Sequence, residues 1–476
     1  MQTSNYVSID FFDDTIWGPI LLVGALFATL LLANVLKTKI PFLRKILIPN
    51  SVLGGAIVLI ISTVCFYATG KYLFNLPMFA PDGEGMSTLE VLTYHCLGIG
   101  FAAMSLRPEN KKVTRERAKD VLNSGIMDVG GFMIQATLGI AITYIASKLI
   151  NGFAPASGIL LSFGYGQGTG QALNNGRNFD AVLGGGTYAN MGLSLAALGF
   201  LVASIGGVIV FNYLRSRGKI GQYADDTFSV SMDEVMGENE APMNESVDKL
   251  SLQIGFVLIT YALAYGIMKF LGGLVGNLKG TVYGFNFIFA VLSAVIVKAV
   301  LRFFKKMGWM KQDYLNVYLL NRISGFAFDL MIVSGICAIQ IDLIFNYLWV
   351  ILLLAIVGAV ATHYYTKFCC QKIFPKYKIE QYFAYFGMLT GTASTGMMLL
   401  RAADPELKTP AADNVVYQNF PAIILGLPML ILASYVTTNA ASGNVALIAM
   451  GLSIAYFAVL MVLLFRSYIF KKKKAE

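Results

Sequence analysis

Runs of apolar residues long enough to cross a lipid bilayer recur from one end of this chain to the other, and no other feature so limits its possible folds. A helix rises 1.5 Å per residue, so about 18–20 residues cross a hydrocarbon core of about 30 Å. Eleven such runs can be read, at 16–37, 51–70, 89–106, 120–149, 187–213, 250–272, 284–304, 322–343, 346–368, 415–438 and 443–466. Lipid offers the backbone no hydrogen-bonding partner, and helices satisfy their own. Composition agrees: only 13% of the 476 residues are Asp, Glu, Lys or Arg, about half the share in a soluble domain. The expected class is an all-α integral membrane protein. The net charge of +9 sits in particular loops, so it is no reason to expect nucleic acid.

The N-terminal segment, 1–15, is acidic (Asp10, Asp13, Asp14), without the basic start of a cleavable signal peptide. The five cysteines, Cys65, Cys96, Cys337, Cys369 and Cys370, lack metal-type spacing and read as buried free thiols. His95 and His363 alone cannot build a histidine metal site.

Two shorter apolar runs, 155–165 and 380–390, cannot cross and end in glycine. The first leads into "FGYGQGTGQALNNG", Phe163 to Gly176, where each glycine costs a helix about 1 kcal/mol relative to alanine. Loop charge assigns both. Basic residues follow the odd-numbered spans: Lys37 to Lys45, Arg107 to Lys119, Arg215 to Lys219, Arg302 to Lys311, Lys367 to Lys378, and Arg466 to Lys474. Positive loops face the cytoplasm. The alternation holds along the chain only if the N-terminus is outside, the C-terminus is inside, and both short runs are re-entrant. Irregular backbone at membrane depth needs protein or a water-filled cavity around it. Two tips entering from opposite faces therefore describe a solute pathway.

The polar segment 222–245 reads as part of a cytoplasmic linker, 215–249, between two halves. The first, 16–214, carries its hairpin at 153–178; the second, 250–438, carries its hairpin at 379–404. Each half has five spans with the hairpin between the fourth and fifth, and they begin on opposite sides. The expected architecture is therefore two inverted five-span repeats, each with a re-entrant hairpin, as in many secondary transporters. An extra C-terminal span and basic tail occupy 439–476. Arg177-x-x-Asp180 follows the first tip and Arg401-x-x-Asp404 the second. Either pair at i, i+3 anchors a hairpin end or meets a ligand.

Several stretches resemble the bacterial glutamate:sodium symporters. "IPNSVLGG" (Ile48 to Gly55) is similar to their Ile-Pro-x-x-Val-x-Gly-Gly element, and "GYGQGTGQA" (Gly164 to Ala172) to their Gly-Gly-His-Gly-Thr-Gly re-entrant motif, with Gln167 in place of His. "YHCLGIGFAAMSL" (Tyr94 to Leu106) resembles their third span, and Gly391 to Gly396 loosely follows their second hairpin. The resemblance runs from about residue 16 to 438. It implies inward co-transport of glutamate with sodium, no other cofactor, a homodimer in the cell's plasma (inner) membrane, and an elevator-like motion.

A small carboxylate or amino acid in a membrane needs hydrogen-bond donors, and a helix N-terminus supplies free N–H groups and partial positive charge. Return helices are expected to begin near Gly170 and Gly396. Gln167, Gly168, Thr169, Gln171 and Asn174 on the first tip, and Ser394 and Thr395 on the second, are the candidate solute contacts. Small residues also let hairpins pack tightly, but packing does not explain the amides. Arg401 is added because a carboxylate needs positive charge. Sodium takes hard oxygen ligands, for which Ser162, Asn190, Thr392 and Thr395 are candidates beside backbone carbonyls. Asp128 and Asp329 each lie inside a span, about 10–12 Å from its inner end. An ionisable group there is costly, and either acid could couple an ion or a proton.

The leading expectation is a sodium-coupled symporter. A citrate- or malate-type hydroxycarboxylate carrier shares the plan. An ion channel also uses re-entrant segments, but usually repeats one filter motif, whereas these tips differ. No catalytic constellation points to a membrane enzyme.

Overall fold

The computed structural model describes residues 11, 14–45, 47–108, 114–218, 248–274, 279–310, 312–404 and 407–471. Asp10 and Asp13, the linker 222–245 and the terminal lysines 472–474 lie outside the described residues. In chain order the principal helices are α1 (Thr15–Lys39), α2 (Asn50–Thr69), α3 (Gly85–Leu106), α4 (Arg115–Leu149), α5 (Leu160–Leu183), α6 (Thr187–Ser216), α7 (Lys249–Leu274), α8 (Asn286–Lys306), α9 (Val317–Cys337), α10 (Ile341–Ile373), α11 (Lys378–Leu389), α12 (Ala393–Ala403), α13 (Asn419–Thr438) and α14 (Gly443–Leu464). No strand occurs among the described residues. Among the described residues, all of these but α5, α11 and α12 are long and apolar enough to cross a membrane, which makes eleven. The eleven apolar runs and the eleven helices coincide, with ends displaced by a few residues.

Local chemistry sets several ends. The Thr114 hydroxyl accepts from Arg117 N at the start of α4, and Asn316 Oδ1 accepts from Leu319 N, 2.7 Å away, at the start of α9. Pro49 precedes α2, and Gly70 ends it in a left-handed conformation, φ 76°. Large apolar side chains such as Ile60, Phe270, Ile424 and Leu452 are exposed, as an outer face meeting lipid chains requires.

Packing between the halves is reciprocal. α3 lies against α9, where Thr93 Oγ1 and Ser334 Oγ stand 2.9 Å apart. α2 packs on α9, and Ser51 Oγ donates to Asp329 Oδ1 at 2.8 Å. α8 packs on α3, and Asn286 Nδ2 donates to Tyr94 O at 2.9 Å. The long α4 is covered by α10, α13 and α14.

Two breaks position the candidate site. In α5 only Gly168 leaves helical geometry, at φ 79° and ψ −174°, a region that glycine alone occupies readily. The chain folds back there. Ala154 N donates to Tyr188 Oη, while Asp180 accepts from Tyr188 N and Ala189 N, so both ends of the segment reach the start of α6. A straight helix would part residues 154 and 180 by about 40 Å. Both arms lie beside α6. A methyl group on Gly192 would stand 2.6 Å from the Ala172 carbonyl oxygen, and one on Gly164 2.9 Å from Ala196 N. The second break, at residues 390–392, separates α11 from α12. These two arms touch at Gly387 and Gly396, where a methyl on Gly387 would come within 2.8 Å of the Gly396 Cα.

Candidate functional site between the two breaks

The breaks meet. A methyl on Gly168 would lie 3.0 Å from Thr392 Cγ2, and one on Gly199 of α6 would lie 2.5 Å from the Thr390 carbonyl oxygen. Beside this junction is a cavity of about 130 Å³, roughly ten times the space one water needs. Gln167 and Gln171 of α5, Asp128 of α4, Thr392 and Ser394 at the start of α12, and Gln418 and Asn419 at the start of α13 supply its polar lining. Phe101, Phe132, Met331 and Met388 supply apolar wall.

The helix start at this cavity is bare. Thr392 makes no side-chain cap, and the first bond of α12 runs from Gly396 N to Thr392 O at 2.9 Å. The preceding N–H groups lack an intrahelical partner. With the helix dipole they favour negative charge.

Several polar atoms here are buried without a protein partner: Asp128 Oδ1, both amide atoms of Gln171, and Gln418 Oε1. Their residues are 4%, 2% and 1% exposed. A buried orphan polar group costs about 1–3 kcal/mol. Such a cluster of residues lining one cavity reads as a place where a ligand completes the bonding. Gln418 Nε2 donates to Asn419 Oδ1 at 3.4 Å and lies 3.5 Å from the Met388 sulfur, while Gln167 Nε2 lies 3.9 Å from the Met429 sulfur. Among the described residues Asp128 is the only acid lining the cavity, and no Lys, Arg or His lines it.

The candidates from sequence divide. Gln167, Gln171, Thr392, Ser394 and Asp128 come together at the cavity, with Gly168 at the contact between tips. Thr169 Oγ1 donates to Met331 O at 3.2 Å, and Asn174 Nδ2 to Gly284 O at 2.8 Å, so both tie α5 to the other half. Gly170 and Gly396 do not open the return arms: α5 resumes directly after Gly168, and α12 begins at Ala393. Both glycines instead permit close packing, Gly170 on Leu97 and Met331, Gly396 on the Ala384 carbonyl. Arg401 is exposed on the last turn of α12 and is not among the lining residues.

The four sodium candidates do not share one contact network. Thr392 Oγ1 and Thr395 Oγ1 stand 3.4 Å apart at the second break. Ser162 Oγ donates to Ile159 O, and Asn190 bridges Gly186 O and Gln340 N. Asp329 lies outside the cavity, bonded to Ser51. Among the described residues no cluster of three His, Cys, Asp or Glu could hold a metal ion. His95 Nδ1 meets Tyr261 Oη at 3.0 Å.

The Arg-x-x-Asp pairs also divide. Arg177 binds Glu90 of α3 through both Nε and Nη2, whereas Asp180 caps the start of α6. Asp404 accepts from Lys408 N, Thr409 N and Thr409 Oγ1.

Three residues of this region were missed from sequence. Gln418 and Asn419 line the cavity, and Gln135 Nε2 donates to Leu389 O and Thr362 Oγ1, both at 2.8 Å, holding the end of α11. Their signal was a polar side chain inside an apolar run, as Asp128 is an acid inside one.

No protein-family model matches the chain, and no curated protein matches it.

Proposed function

We propose that this protein is a secondary active transporter that carries a small carboxylate or amino acid, glutamate being the first to test, together with sodium. The observation that carries the reading is the meeting of two broken helices at one cavity whose buried polar atoms lack protein partners. In this reading α5 and the α11–α12 pair are re-entrant hairpins from opposite faces, and the halves are inverted repeats followed by α14. The reciprocal packing of α2 on α9 and α8 on α3 supports the repeat, because exchanging the halves turns one contact into the other. The basic loops support an outside N-terminus and a cytoplasmic C-terminus. The resemblance carried by "IPNSVLGG" and "GYGQGTGQA" points to the glutamate:sodium symporters, and with them to a homodimer working by an elevator-like movement.

The chemistry divides by sign. The bare start of α12 suits a carboxylate, and Ser394 adds a hydroxyl. Asp128 needs a cation, which the solute's ammonium group or the coupling sodium supplies. Gln167, Gln171 and Gln418 offer donors and acceptors between these poles. The carbonyls at the end of α11 and the Thr392 and Thr395 hydroxyls are the remaining hard oxygen ligands for sodium.

The test is uptake into proteoliposomes under an imposed sodium gradient, with a panel of labelled amino acids and carboxylates. Gradient-driven accumulation of one class is expected. Accumulation of citrate or malate instead would select the hydroxycarboxylate reading. Passive flux of inorganic ions without accumulation would select a channel.

A further inference from the structure

A buried polar seam runs from the central cavity along α4 toward the basic-loop face. It has three layers, set four residues apart, a spacing that keeps side chains on one side of a helix. In the first layer, where α4 leaves the basic loop, Tyr377 Oη donates to Asp120 Oδ2 at 2.8 Å. In the second, Gln381 Nε2 donates to Ser124 Oγ at 3.2 Å. Asn414, on the short helix Ala411–Tyr417, joins these layers: its Nδ2 donates to Gln381 Oε1 at 2.9 Å and to Tyr377 Oη at 3.2 Å. In the third, Tyr385 is an electrostatic neighbour of Asp128, and Gln418 follows Asn414 by one helical turn. The layers cover about 12 Å of α4. Ser124, Gln381, Tyr385 and Asn414 are fully buried.

Hydrogen-bond direction passes along the seam. The Asp120 carboxylate accepts, so the Tyr377 hydroxyl gives it its proton and receives an N–H from Asn414. The nitrogens of Asn414 and Gln381 are thereby committed to protein partners. Four oxygens are left buried without one: Asn414 Oδ1, Tyr385 Oη, Gln418 Oε1 and Asp128 Oδ1. Orphan oxygens of this kind are costly and call for a guest. A positive guest is favoured, because carbonyl and carboxylate oxygens can replace the water around a small cation.

We propose that this seam is a narrow passage for the coupling cation between Asp128 and the basic-loop face, separate from the way the solute takes. The proposal rests on the transport reading. Only Asp128 and Gln418 belong both to the seam and to the central cavity, so the two routes part there. Side chains packed this closely admit a cation and leave no room for an amino acid. The cation passes from Asp128 and Gln418 to the Tyr385 hydroxyl and the Asn414 carbonyl, and leaves past Asp120.

Ser124→Cys places a thiol in the middle layer, and no native cysteine lies between Cys96 and Cys337 to obscure its peptide in a mass spectrum. In sealed vesicles of one orientation, silver ion added at the basic-loop face should block this thiol at least about tenfold faster than silver added at the opposite face. A bulky cationic methanethiosulfonate reagent should reach it from neither face, and sodium at fixed ionic strength should slow the silver reaction. Equal silver rates from the two faces, no silver reaction, entry of the bulky reagent or indifference to sodium each overturn the passage. The second measurement separates the two routes. Asn414→Leu, and the nearly isosteric Gln381→Met, should slow net sodium-driven uptake about tenfold per folded protein, the effect of one lost contact to a charge, while solute exchange with saturating sodium on both faces stays within about twofold of the parent. An equal loss in both assays, or no loss in either, overturns separate cation release. If the parent protein accumulates no solute at all, the transport reading fails instead, and the silver reaction still reports whether the seam admits a cation.

Discussion

Gly168 and Thr392 face each other across the junction of the two breaks, so close that a methyl on Gly168 would stand 3.0 Å from Thr392 Cγ2. Gly168 also holds φ 79° and ψ −174°, a conformation costing a side-chain-bearing residue about 1–3 kcal/mol. Gly168→Ala should therefore lower the unfolding temperature and cut solute uptake at least about tenfold, since strain and contact act together. A melting curve with parallel uptake assays checks it; wild-type values in both would remove Gly168 from the site.

The anchors after the first break should separate in function. Asp180 accepts from Tyr188 N and Ala189 N at 3.0 and 2.9 Å, so Asp180→Ala should cost about 0.5–2 kcal/mol, as loss of a helix cap does. Arg177→Lys loses the two-nitrogen grip on Glu90 and should weaken the α5–α3 contact. Both effects should show in stability while the half-saturating solute concentration stays within about twofold, because neither side chain lines the cavity. A larger rise in that concentration for either variant would place it in the solute path.

How much of this was legible in the sequence follows from which physical signal each feature leaves. The eleven long helices were legible because apolar length is read directly. The two breaks were legible as regions, because short apolar runs ending in glycine cannot cross. Their registers were not. Five glycines stand between Gly164 and Gly176, yet only Gly168 leaves the helix. Gly164, Gly170 and Gly176 stay helical because neighbouring elements fill the space beside them: α6 against Gly164 and Gly176, Leu97 and Met331 against Gly170. Tertiary packing overrides propensity there, and no local pattern reports it. Gln418 escaped for a similar reason. Its place at the cavity depends on where α13 begins relative to Asp128 of α4, a relation between distant segments.

Arg401 and Asp404 should also separate. Arg401 is exposed and away from the cavity, so Arg401→Lys should transport within about twofold of the parent. Asp404 accepts three hydrogen bonds that hold the turn after α12, the shortest from Thr409 Oγ1 at 2.7 Å. Asp404→Asn places donors against those donors and should cost about 1–3 kcal/mol. Thermal unfolding of both variants, with uptake kinetics, decides the matter. A tenfold rise in half-saturating solute for Arg401→Lys would return Arg401 to the binding site.

Among the described residues Asp128 is the only acid lining the central cavity, and its Oδ1 is buried with no protein partner. If Asp128 is ionised when the site is occupied, a cation has to balance it there. If the cation is sodium, binding of sodium and solute are linked, and the coupling should be about 1–3 kcal/mol. Asp128→Asn keeps the shape and removes the charge. The unfolding temperature should hold or rise, because an uncompensated buried charge has been removed. Equilibrium binding of labelled glutamate, measured with and without sodium at fixed ionic strength, should show the coupling in the parent and little in Asp128→Asn. By reciprocity, glutamate should no longer sharpen sodium binding in the variant. An Asp128→Asn protein that keeps the parent's sodium dependence would assign sodium to the carbonyls and hydroxyls of the second break. Asp128 would then serve the solute's ammonium group, and the variant should lose affinity for amino acids while keeping it for carboxylates that lack the amine.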